Sequence, residues 1–462
     1  MKCFIKTVSL ILALMLLLSL FGCGEDKKPA FVAEDEYYNI EDENGASGQS
    51  DAGNGDSNNT SQGESGNNSQ NSGSDSGDDD FEPIEIIERD GFIPKEIPTR
   101  KNAYKLSNTM NKLQSGKTVN VVYYGGSVTG GTGSSDPEKK SWRALTTEFL
   151  KSQTSGTVNA VNSALGGTGS YLGAARFEQS VLAYDPDLLF IEFAINDKYS
   201  DLSVQQSKAD IEYMIRKLNA KNPCADIVIV LVTNDSLYGS QYPTYNAHRE
   251  VADHYGVPIV DFGCELYNKF KGSSESFKKL LSDSVHPNDE GYRAYADIMI
   301  AALKEMLVSA PDAPHNMPAS KLCKNGFSTL KNHLASTISA TGWSCKWWFD
   351  NRDYEKEGSQ FRYSGDLKAI YPKYLAPDEI GNTITFKFTG NSFGILGTVK
   401  EGASLKIVLD GSTEKTVAGV SRSELLEYPV FENLENTSHT VTVTVIGNPP
   451  YVAIAAFVTT NP

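Results

Sequence analysis

The sequence predicts an α/β domain built on a parallel sheet, followed by an all-β sandwich. Between residues 90 and 315, short apolar runs alternate with amphipathic stretches of helical period, the pattern of a parallel sheet covered on both faces. From 316 to 462 the period drops to two and turn residues separate the runs, as in half-buried antiparallel strands. A third observation concerns chemistry. Three polar segments stand at the ends of apolar runs in a fixed order: Gly125-Gly126-Ser127-Val128-Thr129, Ala194-Ile195-Asn196-Asp197 and Asp283-Ser284-Val285-His286-Pro287.

Val119, Val121, Val122 and Tyr123 form the first strand, which stops at Gly125-Gly126 and places Ser127 in the turn at the carboxyl edge of the sheet, where open α/β folds build their sites. Residues 158–162 are a second strand, and the loop from Ser163 to Ser170 that follows is rich in glycine. Residues 186–193 are a third, with Asn196 in the edge loop beyond it. An amphipathic helix carrying Ile211, Tyr213, Met214, Ile215 and Leu218 leads to a strand over 226–232, then a helix over 246–255 and a strand over 257–261. Pro287 suits the first position of a helix whose apolar residues run from Tyr292 to Leu303.

A serine hydroxyl becomes a useful nucleophile only when a base lies within hydrogen-bond reach and a third group orients that base. Asp283 and His286, three residues apart on a tight turn, supply both partners locally and leave one ring nitrogen free for Ser127. Acyl transfer also needs donors aimed at the developing oxyanion. The Ser127 amide, a glycine amide in the 163–170 loop and the Asn196 carboxamide are available. No Gly-x-Gly-x-x-Gly or phosphate loop follows the first strand, and Thr129 breaks the Gly-x-Ser-x-Gly elbow.

On these residues the chain resembles the SGNH hydrolases, or GDSL family, over roughly residues 115 to 308. The serine block keeps Gly126-Ser127, with Gly125-Gly126 in place of Gly-Asp; Asn196-Asp197 match the Gly-x-Asn-Asp block with Ala194 for glycine; Asp283 and His286 match the last block. The resemblance implies a flavodoxin-like three-layer α/β/α fold and a carboxylic ester hydrolase with Ser127, His286 and Asp283 as its triad. It also implies an oxyanion hole of Ser127, Gly167 and Asn196. Gly167 falls five residues after Asn162, with Gly166 as the alternative position. No cofactor is implied, and the other histidines, His248, His254, His315, His333 and His439, lack metal-ligand spacing.

Lys2 and Lys6 precede an uncharged apolar run over residues 8–21, followed by Gly22-Cys23. Residues 1–23 look like a bacterial lipoprotein signal, with Leu20-Phe21-Gly22-Cys23 as its lipobox and Cys23 as the lipid attachment; an ordinary cleaved signal is the alternative. Residues 24–89 form a polar tether too poor in apolar side chains to build a core. Residues 24–88 hold 18 acidic and 2 basic side chains, whereas residues 89–462 hold 40 and 38. The overall charge of −16 therefore belongs to the tether, and a nucleic-acid partner is not expected. A chain of this kind spans about 40–50 Å.

In the second domain, Ile384, Phe386 and Phe388 alternate with polar residues, as do Leu405, Ile407 and Leu409 before the hairpin signal Asp410-Gly411, then Val441, Val443 and Val445. A buried strand over 451–458 closes the chain. This part resembles the jelly-roll accessory modules of carbohydrate-active enzymes. Trp343, Trp347 and Trp348 hold three of the four tryptophans within six residues, as a sugar-stacking platform or as core. Cys224, Cys264, Cys323 and Cys345 form either one disulfide per domain or free thiols.

The expectation is a lipid-anchored, extracytoplasmic serine esterase at a bacterial cell surface, acting on O-acetylated glycan. A lipid acylhydrolase is the enzymatic alternative, and a catalytically silent glycan-binding lipoprotein the non-enzymatic one.

Overall fold

The computed structural model describes residues 103–324, 326–347, 365–421 and 425–462. The expected signal with Cys23 and the tether lie outside the described residues.

Five strands make the first sheet: β1 (Val119–Gly125), β2 (Val158–Asn162), β3 (Leu188–Glu192), β4 (Asp226–Leu231) and β5 (Ile259–Asp261). All pairings are parallel, in the order β2-β1-β3-β4-β5. This is the flavodoxin-like order, and its crevice opens where β1 and β3 lead off to opposite sides. β3, β4 and β5 are buried throughout, whereas β2 at the edge is largely exposed. The apolar runs are thus the strands with helices over both faces. Tyr123 stacks on Phe190 with ring centroids 4.9 Å apart, and Trp142 meets Phe190 edge-on.

Capping residues set the helix starts. Ser203 accepts from the Gln206 N–H at 3.0 Å to begin Val204–Lys221, and Asp261 accepts from the Cys264 N–H at 2.9 Å to begin Phe262–Lys269. The last long helix, Asp289–Met306, is capped by Asn288, which accepts from the Gly291 N–H at 3.0 Å. Pro287 is therefore not its first residue. It stands two positions earlier, bridged to Leu281, because an asparagine oxygen satisfies a free amide that proline cannot.

After Met306 the chain does not leave this domain at 315. His315 stacks on Tyr104 and bonds Asp226 at 2.8 Å, the Cys323 N–H donates to Glu212, and Phe327 packs on Tyr213. The proline-rich sequence suggested a break, but these polar anchors hold the segment down.

Among the described residues, ten strands follow: β6 (Thr329–Leu334), β7 (Trp343–Trp347), β8 (Lys373–Pro377), β9 (Thr383–Gly390), β10 (Ser392–Val399), β11 (Ala403–Leu409), β12 (Thr413–Ala418), β13 (Leu426–Phe431), β14 (Thr437–Gly447) and β15 (Val452–Asn461). One antiparallel sheet runs β13-β10-β15-β8-β7 with β6 also on β15, and the other runs β12-β11-β14-β9. Ile384, Leu405, Ile407, Val441 and Val443 of the second sheet bury against Phe393, Ile395, Ile454 and Phe457 of the first. Asp410 (φ 49°) and Gly411 (φ 71°) make the turn between β11 and β12, both left-handed as a tight hairpin requires.

β10 and β15 are buried on both faces. Their second face packs on the α/β domain, where Leu396, Ala453, Ala455 and Ala456 meet Leu165, Tyr171 and Leu172. Trp343 is buried in the sandwich, while Trp347 is 44% exposed beneath Lys373 Nζ; Trp348 lies outside the described residues. All four described cysteines are free. Cys224 precedes β4 and Cys264 follows β5, so the parallel strands place them at opposite edges of the sheet.

Candidate active site

β1 ends at Gly125, and Gly126 caps the short helix Ser127–Gly130, so Ser127 is presented at the crevice, partly buried. The turn is tight. A Cβ on Gly125 would lie 2.6 Å from both Glu192 O and Thr129 Oγ1. From beneath, the carboxylate of Glu192 at the end of β3 accepts from Thr129 Oγ1 at 2.9 Å and from the Gly126 N–H at 3.3 Å. Glu192 is 1% exposed, and burial pushes its acid up to about 7.

Ser127 Oγ–H donates to His286 Nε2 at 2.8 Å, and His286 Nδ1–H donates to Asp283 Oδ2 at 2.7 Å. The other carboxylate oxygen of Asp283 accepts the N–H groups of Val285 at 2.7 Å and His286 at 2.6 Å. Burial alone would raise the Asp283 acid, but these bonds outweigh it and hold the carboxyl below its usual range. Ser282 N–H closes the loop on His286 O at 2.8 Å. The sequence-predicted nucleophile, base and orienting acid are thus brought together.

A third segment ties the serine side to the histidine side. Gly133, at φ +90°, passes so close to the histidine loop that a Cβ there would meet Pro287 O at 2.5 Å and His286 Cβ at 3.1 Å. Tyr292 OH donates to Thr132 O at 2.7 Å, and Asp289 accepts from Ser134 Oγ, the Ser135 N–H and hydroxyl, and Lys140 Nζ. The lysine and the serines hold the Asp289 carboxyl well below the usual range.

On the opposite side, the Asn196 carboxamide lies against Gly126: a Cβ at Gly126 would fall 2.8 Å from its Nδ2 and Oδ1. The 163–170 loop passes over the serine, with a Cβ on Gly166 3.5 Å from Ser127 Cβ and Gly167 at φ +69°. Asp197, fully buried, accepts from Ser170 N–H at 2.6 Å, Ser170 Oγ at 2.8 Å and Ser207 Oγ at 2.6 Å, and pairs with His248 Nε2 at 2.9 Å. His248 is thereby a core partner of Asp197. Among the described residues, no group of three or more His, Cys, Asp or Glu side chains is placed to hold a metal ion.

Sequence reasoning missed Glu192 and Asp289. Only Glu192 left a signal, a lone carboxylate at the end of an apolar run.

Residues 123–294 match the family model of the GDSL-like lipase/acylhydrolase family. Residues 123–294 are thus similar to this family, also called SGNH. The chain is 24% identical across 169 residues to the thioesterase 1/protease 1/lysophospholipase L1 of Escherichia coli strain K12, covering 36% of this chain and 75% of that protein. It is also 24% identical across 174 residues to an arylesterase of Vibrio mimicus, covering 37% of this chain and 82% of that protein. Both domains together match the crystal structure of a two-domain esterase (CEX) active on acetylated mannans, with a TM-score of 0.63 at 20% identity, over 78% of this chain and 98% of that one. A second structure of that esterase, co-crystallised with mannopentaose, matches with a TM-score of 0.62 at 22% identity, over the same shares of each chain. The two-domain fold is therefore shared.

Proposed function

We propose that this protein is a lipid-tethered, extracytoplasmic serine esterase that removes acetyl groups from O-acetylated polysaccharide. The observation that carries the reading is the relay from Ser127 through His286 to Asp283, at 2.8 and 2.7 Å.

Ser127 Oγ attacks the acetyl carbonyl carbon while His286 Nε2 takes the hydroxyl proton. Asp283 fixes the imidazole and stabilises its charged form. The Ser127 and Gly167 amides and Asn196 Nδ2 donate to the tetrahedral oxyanion. Collapse breaks the bond to the sugar oxygen, which leaves with the proton from His286 as an alcohol. Water, deprotonated by His286, then attacks acetyl-Ser127; acetate departs and the proton returns to Ser127.

Glycan acetate as substrate is supported by the small, polar residues of the 130–135 segment and by Gly166 beside Ser127, and by the likeness of fold to an esterase whose stated substrates are acetylated mannans. The signal ending at Cys23 and the acidic tether beyond it support the lipid anchor and the cell-surface location. A lipid acylhydrolase is the second reading, favoured by the lysophospholipase name of the Escherichia coli relative. The test is acetate release from acetylated mannan, xylan and peptidoglycan by the purified chain. Release from one of them is expected; release from none, with hydrolysis of lysophospholipid, moves the assignment to the second reading. Palmitate labelling that persists in Cys23→Ser would remove the anchor.

A further inference from the structure

Glu427 belongs to β13 of the sandwich, yet its carboxylate is spent on the α/β domain. It is 8% exposed and accepts from the Gly169 N–H and the Leu172 N–H, each at 2.5 Å, and from Ser200 Oγ at 3.2 Å. Gly169 and Leu172 flank the start of the helix Ser170–Ser180, directly after the loop that holds Gly166 and Gly167. Ser200 ends the helix Ala194–Tyr199 that holds Asn196, and its N–H donates to Asn196 O at 2.8 Å. One carboxylate therefore touches the elements carrying two of the three oxyanion donors. The approach depends on glycine: a Cβ at Gly169 would lie 2.6 Å from Glu427 Oε1 and 2.8 Å from Asp197 Oδ1. Around it, Leu165, Tyr171 and Leu172 pack on Leu396, Leu425 and Ala453.

We propose that Glu427 is a positioning residue for the reaction, through which the sandwich holds the Gly167 loop and the Asn196 helix in the relative placement that forms the oxyanion hole. This rests on the esterase reading above. Apolar packing alone would join the domains, but it has no direction. A carboxylate that bonds the two amides with separate oxygens, and the hydroxyl with the oxygen that also takes Gly169, fixes the rotation and height of both elements. A misplacement on the order of 1 Å in such a donor costs about 10²-fold in rate.

Glu427→Gln is the sharp variant, since it keeps the volume but turns one acceptor into an NH₂ that faces an N–H. In the full chain, kcat on 4-nitrophenyl acetate is expected to fall about 10–100-fold with KM within about twofold, because the lost contact acts in the transition state. The inhibition constant of methylboronic acid, whose tetrahedral adduct fills the same hole, is expected to rise in proportion. Leu396→Ala, at the same interface with a side chain that has no hydrogen-bonding group, serves as the control: it is expected to lower Tm and leave kcat within about twofold. A Glu427→Gln variant with unchanged kcat, or an equal loss in Leu396→Ala, overturns the proposal. Should Glu427→Gln not fold, Glu427→Asp applies the same criterion, as its shorter arm cannot span both amides. Wild-type protein without ester hydrolysis would sink the esterase reading instead. Hydrogen exchange then decides the clamp alone: faster exchange at Gly169 and Leu172 in the variant supports it, and unchanged exchange overturns it.

Discussion

Ser127 Oγ–H donates to His286 Nε2 at 2.8 Å although 159 positions separate the two residues in the chain. Two anchors make this possible. Glu192 fixes the serine turn from below, and Gly133 with Tyr292 fixes the histidine loop against it.

The triad acts as a unit, so Ser127→Ala and His286→Ala are each expected to lower kcat by about 10⁴-fold or more, with the double variant no worse than the singles. Both side chains sit at the crevice, and Tm is expected to change little. Steady-state hydrolysis of 4-nitrophenyl acetate with a melting curve checks this. Substantial turnover in folded Ser127→Ala would rule out the serine as nucleophile.

On the proposed mechanism, Asn196→Ala takes away a side-chain donor to the oxyanion and is expected to cost about 10²–10³ in kcat. Gly126→Ala tests the same donor without touching it. The added methyl would stand 2.8 Å from both terminal atoms of the carboxamide, so Asn196 must turn away. The two substitutions are expected to be non-additive, because they remove one interaction. Additive losses would show that Gly126 acts elsewhere.

Much of this was legible before the structure. β3 and β4 are buried throughout, so their apolar runs 188–191 and 227–231 are unbroken, and Asp283 and His286 meet on one local turn. What escaped is contact between distant segments. Glu427 lies 258 positions from Gly169, and in the sequence it is a lone acidic residue with no motif around it. Gly133 reads as one of a run of small residues after Ser127, whereas its need for glycine comes from the His286 loop crossing it. The Pro287 assignment failed because two adjacent residues could each begin the helix, and the side-chain bond of Asn288 decided between them.

Glu192 makes the stability of the fold depend on pH. Burial raises its acid from 4.5 to about 7, so between those values the folded chain holds a proton that the unfolded chain has released. Its contribution is fully present below 4.5 and declines as pH rises through about 7. The slope is on the order of 1 kcal/mol per pH unit for one such group. The depressed Asp283 acts in the opposite sense, losing its contribution as pH falls through its folded value. Glu192→Gln isolates the first effect: urea midpoints from pH 5 to pH 8 are expected to fall less steeply than in the wild type. Parallel curves would show that Glu192 is ionised across the range.

The last prediction concerns the acyl chain. Near Ser127 stand Gly130 at the end of its own short helix, Gly133 against His286, and Gly166, where a Cβ would lie 3.5 Å from Ser127 Cβ. Beside Gly130 an added Cβ would meet nothing closer than Ala164 Cβ at 3.8 Å, and Ser134 and Ser135 are tied to Asp289 rather than free to fold over a chain. Each methylene buried in a lipid-binding slot contributes about 0.8 kcal/mol, so the two added between acetyl and butyryl would raise kcat/KM about 15-fold in such a slot. Here the added carbons meet small, polar groups and are expected to gain less than about threefold. The measurement is kcat/KM for 4-nitrophenyl acetate, butyrate, octanoate and palmitate under one set of conditions. A steady climb to octanoyl or palmitoyl would mean that an apolar channel opens beside Ser127, and the acylhydrolase reading would replace the glycan deacetylase.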